Sequence, residues 1–255
     1  MRYTLRTNCI VPLNDVKRVL DIGCSEGTWM LEMANDHPHT RFSGLDIVEQ
    51  MKDRVLPKNC DFYCADILQG LPFSDATFDF VHQRFMYSFV PNDSWQGLVA
   101  EMARVLKPDG RIHLVERHFE LGRYQTDVVS LLGAFNRAIH ENQVSMAICD
   151  RLDELLDEAG FVDIDRKCIN IPVGDWGGIP GRLMGEAVVS WVQDSREIIV
   201  QRSGLTHQEF DAQMERAYDG LSEARAYYSV FLYTARKPVN KKSKRRKSMP
   251  LMGSC

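Results

Sequence analysis

No apolar run in this 255-residue chain approaches the about 18 positions that a bilayer-crossing helix needs. Its opening residues, Met1 to Asn8, lack the apolar stretch of a secretory leader. These absences set the expectation of a soluble, intracellular protein in the cytoplasm, with no membrane partner. The chain also lacks a Cys-x-x-Cys pair. Its seven cysteines are scattered, and Cys60 and Cys64 have neither a second pair nor a histidine cluster beside them. Free thiols in a reducing compartment, and no metal site, are expected. No internal repeat is visible. A dinucleotide fingerprint is missing too: aligned on Gly23, the second and third glycines of Gly-x-Gly-x-x-Gly would fall at Ser25 and Thr28. That disfavours a nicotinamide oxidoreductase, because a pyrophosphate needs the close backbone approach that those glycines permit.

Acids disappear from residue 240 onward, while Lys241, Lys242, Lys244, Arg245, Arg246 and Lys247 are all basic. The formal charge of −4 therefore hides a more acidic body. Such a body is poorly suited to a phosphate backbone, so nucleic acid is not an expected partner. The run at 241–247 reads either as a nuclear-import signal or as a solubilising tail. Residues 238–255 are too charged and too poor in apolar residues to be expected to fold.

What remains, 44% apolar and 26% charged, suits one α/β domain over residues 1–237. Strand and helix patterns alternate. Val19–Ile22 reads as a buried strand and 28–35 as a helix stopped by His37-Pro38. Strands follow at 42–47, 62–66 and 78–82, with a short helix between the first two at 48–55. Ser94 is placed to cap a helix carrying Leu98, Met102 and Val105, which ends at Lys107-Pro108-Asp109-Gly110 before a strand at 111–116. A helix over 152–159 closed by Gly160 leads to a strand at 161–171, and the last strand is 229–236. Between them, residues 173–226 form an excursion with helices at 182–202 and 206–226, either a lid or a packing subdomain. The alternation implies a doubly wound, mostly parallel sheet with helices on both faces.

Chemistry concentrates early. The strand ending in Asp21 breaks into Gly23-Cys24-Ser25-Glu26-Gly27 and opens a helix. Such a turn lets backbone approach a ligand and aims helix N–H groups at it. Asp21 places a carboxylate where it can attract a positive group. Cys24 and Ser25 offer backbone N–H groups; a redox role for Cys24 is the lesser reading. A second strand ends in Asp46-Ile47, and an acid there can accept both ribose hydroxyls. Asp66 with Ile67 reads either as a wall for an adenine or as a helix N-cap. His82, Gln83 and Arg84 follow a strand and should rim a pocket at the carboxyl edge of the sheet. His82 is a candidate general base or a structural histidine. Gln83 or Arg84 is a candidate for the amino acid end of a cofactor, and Glu116 and His118 for facing a substrate. Trp29 and Met33 fit a helix core face, and Trp176 and Trp191 fit either core packing or an apolar pocket.

Over about residues 15–120 the chain resembles the class I S-adenosylmethionine-dependent methyltransferases. The resemblance rests on Val19 to Gly27, on Gly44-Leu45-Asp46-Ile47, on Ala65-Asp66-Ile67 and on Leu106 to Glu116. The segment Phe78 to Phe85 and the later Trp176-Gly177-Gly178 are similar to a fungal branch that includes relatives of a nuclear regulator of secondary metabolism. The resemblance implies a Rossmann-like, seven-stranded sheet with an antiparallel last strand and a helical insertion before it. It also implies S-adenosylmethionine as cofactor, held by Asp21, Gly23, Cys24, Ser25, Gly27, Asp46, Ile47, Asp66, Ile67 and Gln83. The reaction implied is an in-line methyl displacement that requires alignment more than any fixed catalytic group. The acceptor is expected to be a small molecule, with a protein acceptor or regulatory partner as the alternative. The pattern departs at Ser25, where glycine is usual, and only about eighteen residues precede the first strand. These departures support a second reading, a degenerate member acting as a nuclear binding module.

Overall fold

The computed structural model describes residues 7–51, 54–118, 130–131, 133–134 and 144–239. Strand β1 (Arg18–Ile22) is buried along nearly its whole length, as an apolar run in the middle of a parallel sheet should be. Helix α1 (Thr28–Asp36) buries Trp29, Met30, Met33 and Ala34 on one face. Strands β2 (Arg41–Asp46), β3 (Cys60–Cys64) and β4 (Phe78–Arg84) follow. Helix α2 (Trp95–Val105) and β5 (Leu106–His118) close the first half. Helix α3 (Leu152–Glu158) precedes β6 (Val162–Pro172). Helices α4 (Gly178–Asp194), α5 (Arg196–Ser203), α6 (His207–Glu215) and α7 (Ala217–Glu223) lead to β7 (Tyr227–Arg236).

The sheet has seven strands in the order β3-β2-β1-β4-β5-β7-β6. The pairings from β3 through β5 are parallel, and β7 runs antiparallel to both β5 and β6. This is the Rossmann-like arrangement implied by the sequence, antiparallel last strand included. One face packs Leu20, Ile22 and Val81 against α2 and α3. The other packs Val19, Phe42 and Phe80 against α1. A third cluster joins Val230 and Leu232 of β7 to the helices that precede it.

Several local expectations are corrected. No helix occupies the described residues of 48–55, which form turns. Ser94 holds the N-cap position of α2 but does not cap it. Its backbone is helical rather than extended, and its hydroxyl donates instead to Asp93 Oδ1 at 3.3 Å. The two long helices expected over 182–202 and 206–226 are each broken, at Ser195 and at Arg216. The basic run 241–247 lies outside the described residues.

Candidate functional site

The carboxyl ends of β1 to β5 all open on one cavity of about 560 Å³. That is where ligands sit in open α/β sheets. After β1 the chain turns through three left-handed residues, Gly23 (φ 67°), Ser25 (φ 51°) and Gly27 (φ 73°). Gly23 and Cys24 N–H both donate to the Leu45 carbonyl, at 2.8 and 3.1 Å, which locks the turn to the end of β2. Space is tight on both sides: a Cβ at Gly23 would stand 2.2 Å from Met86 Sδ, and one at Gly44 2.8 Å from Cys24 Sγ. Ser25 departs from glycine in a left-handed position, at a cost of about 1–2 kcal/mol. Its hydroxyl donates to Gln50 Oε1 at 3.3 Å.

Asp46 ends β2 with both carboxylate oxygens anchored by backbone. Oδ2 accepts from Ser25 N–H at 2.8 Å and Oδ1 from Val48 N–H at 3.0 Å. A carboxylate oxygen has a second lone-pair direction, so an anchored pair of this kind can still receive two neighbouring hydroxyls. Asp66 caps the short turn Ile67–Gln69, its Oδ1 accepting from Leu68 N–H at 2.9 Å, and also lines the cavity. The two readings of Asp66 are thus compatible. Ile47, 64% exposed, and Ile67 add apolar side chains to the same lining.

Asp21 is buried beneath the Gly23 turn rather than lining the cavity. Burial pushes its carboxyl up to about 7; the Arg84 guanidinium opposes that shift and Asp46 adds to it. Cys24 is buried, and desolvation with the neighbouring Asp21 and Asp46 raises its thiol further from ionisation, which argues against redox or nucleophilic chemistry.

Strand alternation separates the last three residues of β4. His82 points to the α1 face, stacked 3.7 Å from the Trp29 ring and 5.1 Å from the His113 ring. It is fully buried, is not among the lining residues, and desolvation holds it neutral well below the usual histidine range. That position removes it from any general-base role at the cavity. Gln83 points to the other face and lies one layer under the wall, its Nε2 donating to Glu116 Oε1 at 3.0 Å. Arg84 is the member of the three that lines the cavity. Glu116 likewise faces inward, and Arg117, next along β5, lines the cavity. The side chain of His118 lies outside the described residues. Trp191 packs 5.6 Å from the Arg117 guanidinium, while Trp176 is 44% exposed away from the cavity, its Nε1 donating to Val173 and Ala226 carbonyls. Among the described residues no group of histidine, cysteine and acid side chains could hold a metal.

Sequence reasoning missed Phe85, Met86, Phe89 and Arg117 as wall residues. The available signal was position alone: they lie at or just past the carboxyl ends of β4 and β5.

Comparisons with known proteins agree with this geometry. Residues 19–110 match the family model described as a methyltransferase domain. The chain is 29% identical over 217 residues to the secondary metabolism regulator laeA of Coprinopsis cinerea, covering 76% of this chain and 52% of that protein. It is 27% identical over 170 residues to the protein-methionine methyltransferase laeA of Emericella nidulans, covering 62% and 44%. The chain thus spans about half the length of these curated relatives. A phosphoethanolamine N-methyltransferase of Haemonchus contortus, solved with S-adenosylhomocysteine, shares the fold. Its TM-score is 0.54 at 18% identity, over 89% of this chain and 50% of that one.

Proposed function

We propose that the chain is a class I S-adenosylmethionine-dependent methyltransferase domain of the type found in fungal secondary-metabolism regulators, whose cavity binds S-adenosylmethionine and transfers its methyl group to a small-molecule acceptor. The observation that carries this reading is Asp46, pinned by Ser25 and Val48 N–H groups at the cavity edge with its oxygens set for two ribose hydroxyls. Ile47, Asp66 and Ile67 would enclose the adenine. The Gly23 turn would take the methionine end, and Arg84 would meet its carboxylate. Asp21, one layer down, offsets the ammonium charge through the turn. The sulfonium supplies an electrophilic methyl with a good leaving group. The wall of Phe85, Met86 and Phe89 then has to exclude water and align the acceptor.

Titrating S-adenosylmethionine by calorimetry tests this. We expect saturable binding, weakened about tenfold to a hundredfold by Asp46→Ala, since hydrogen bonds to a charged group contribute roughly 1.5–3 kcal/mol. No heat from the wild type would sink the proposal.

A second reading is favoured by the relatives named as regulators and by the strained Ser25 in the turn: a domain that binds the cofactor and serves as a nuclear regulatory module without turnover. Labelled methyl transfer to candidate metabolites separates the two, because only the enzyme gives product.

A further inference from the structure

Among the described residues ten large apolar side chains are exposed, and four of them, Ile47, Val48, Leu68 and Phe89, line the cavity at the carboxyl edge of the sheet. An apolar rim of that kind marks a surface that a ligand covers. Ile47, Val48 and Leu68 follow β2 and β3, on the side assigned to the adenosine. Phe89 follows β4 with Phe85 and Met86, where the adenosine assignment leaves it uncovered.

The loop that carries Phe89 is anchored on both sides of it. Tyr87 and Val90 are wholly buried. Glu116 accepts from the Met86 and Tyr87 N–H groups. Phe89 and Val90 N–H both donate to the Met86 carbonyl, at 2.9 and 3.2 Å, and Trp95 Nε1 donates to the Val90 carbonyl at 3.2 Å. Between these anchors Phe89 projects 70% exposed, so covering its ring requires little further ordering of the chain.

The charged groups at this end are already engaged. Glu116 also accepts from Gln83 Nε2. The Arg117 guanidinium donates to the Tyr228 hydroxyl, interacts with Glu116 and packs 5.0 to 6.0 Å from the Phe85, Tyr87 and Trp191 rings. Arg84 lies 5.5 Å from the Phe85 centroid, placed to meet the cofactor's carboxylate. Two guanidiniums in the wall repel a cationic acceptor, and an anionic one would compete with the partners they hold. An uncharged ring meets neither cost, and stacking on Phe89 removes two apolar faces from water.

We propose that Phe89 is the residue that recognises the acceptor, and that the acceptor is an uncharged aromatic compound with one ring face stacked on it. This rests on the methyltransferase reading and adds to it the substrate class and the residue that selects it.

The test uses protein saturated with S-adenosylhomocysteine, titrated by calorimetry near neutral pH with indole, its cationic analogue tryptamine and its anionic analogue indoleacetate. Wild type should bind indole at least about tenfold more tightly than either charged analogue. Phe89→Ala should weaken indole binding about tenfold, and Phe89→Tyr should keep most of it. No binding of indole, a charged analogue bound as tightly, or indole affinity unchanged in Phe89→Ala would overturn the proposal and leave the methyltransferase reading standing. Loss of S-adenosylhomocysteine binding in Phe89→Ala would assign the ring to the cofactor and overturn the proposal too. Failure of S-adenosylhomocysteine to bind the wild type would overturn both. The comparison of the three probes needs no variant, so a poorly folding Phe89→Ala cannot obscure the outcome.

Discussion

Glu116 is wholly shielded from solvent and fastens the cavity wall with one carboxylate. Oε1 accepts from Gln83 Nε2 at 3.0 Å and Met86 N–H at 2.9 Å, and Oε2 from Tyr87 N–H at 3.2 Å. The loop so held begins at Phe85, whose φ of 60° places an aromatic residue in left-handed backbone, a conformation that persists only where surrounding bonds enforce it. A glutamine at 116 would turn an N–H group toward at least one of these donors. We expect Glu116→Gln to lose about 1–3 kcal/mol in denaturant unfolding, with faster amide exchange at Met86 and Tyr87. Glu116, like His82, shows where sequence stopped being informative at this scale. Both residues sit near strand ends, and the sequence places them there. Which face each takes depends on the pleat's parity, which slips with a one-residue shift in the strand boundary. Asp46 was legible because it terminates its strand, where the backbone itself aims the side chain.

Among the elements, α2 is tied to the segment before β4 by Arg104. Its guanidinium bonds both oxygens of Glu101, Oδ1 of Asp75 and the carbonyls of Phe73 and Leu71, while Leu71 N–H donates back to Glu101. A lysine has no planar fork to span these partners. Arg104→Lys should therefore lower the melting temperature by an amount equivalent to about 1–2 kcal/mol, read by calorimetric scanning. The glycine turn, α1 and the five parallel strands could be read from apolar runs and turn residues, because local pattern and burial agree there. The helices between β6 and β7 were read as two and are four. Their breaks at Ser195 and Arg216 have no proline or glycine to announce them, and the packing of α4 to α7 on β7 decides where they fall.

Over the whole molecule, four buried titratable groups pull stability in opposite directions. Burial raises Asp21 and Glu116 to about 7, lowers His113 to about 4 and holds His82 well below its usual value. Between about pH 4.5 and 6.5 the unfolded chain ionises both acids and protonates both histidines, whereas the folded chain does neither. The raised acids make stability fall as pH rises through this window, and the depressed histidines make it rise. The two effects offset, so their joint contribution should be nearly flat. His82→Phe, which keeps a ring against Trp29, should expose a downward slope of about 1 kcal/mol per pH unit as pH rises from 5 to 6.5. Asp21→Asn should tilt the curve the other way. Urea titrations at several pH values read both slopes, and parallel slopes in the two variants would refute the compensation.

The position of β7 between β5 and β6 has a bearing on how the chain is made. A ribosome delivers β5 and β6 long before residues 227–236 emerge, and these two strands have no pairing with each other in the finished sheet. Until the closing strand arrives, both present open edges, which are templates for association with other chains. Nascent protein interrupted before residue 227 is thus the aggregation-prone species, and chaperone dependence should fall once synthesis passes residue 236.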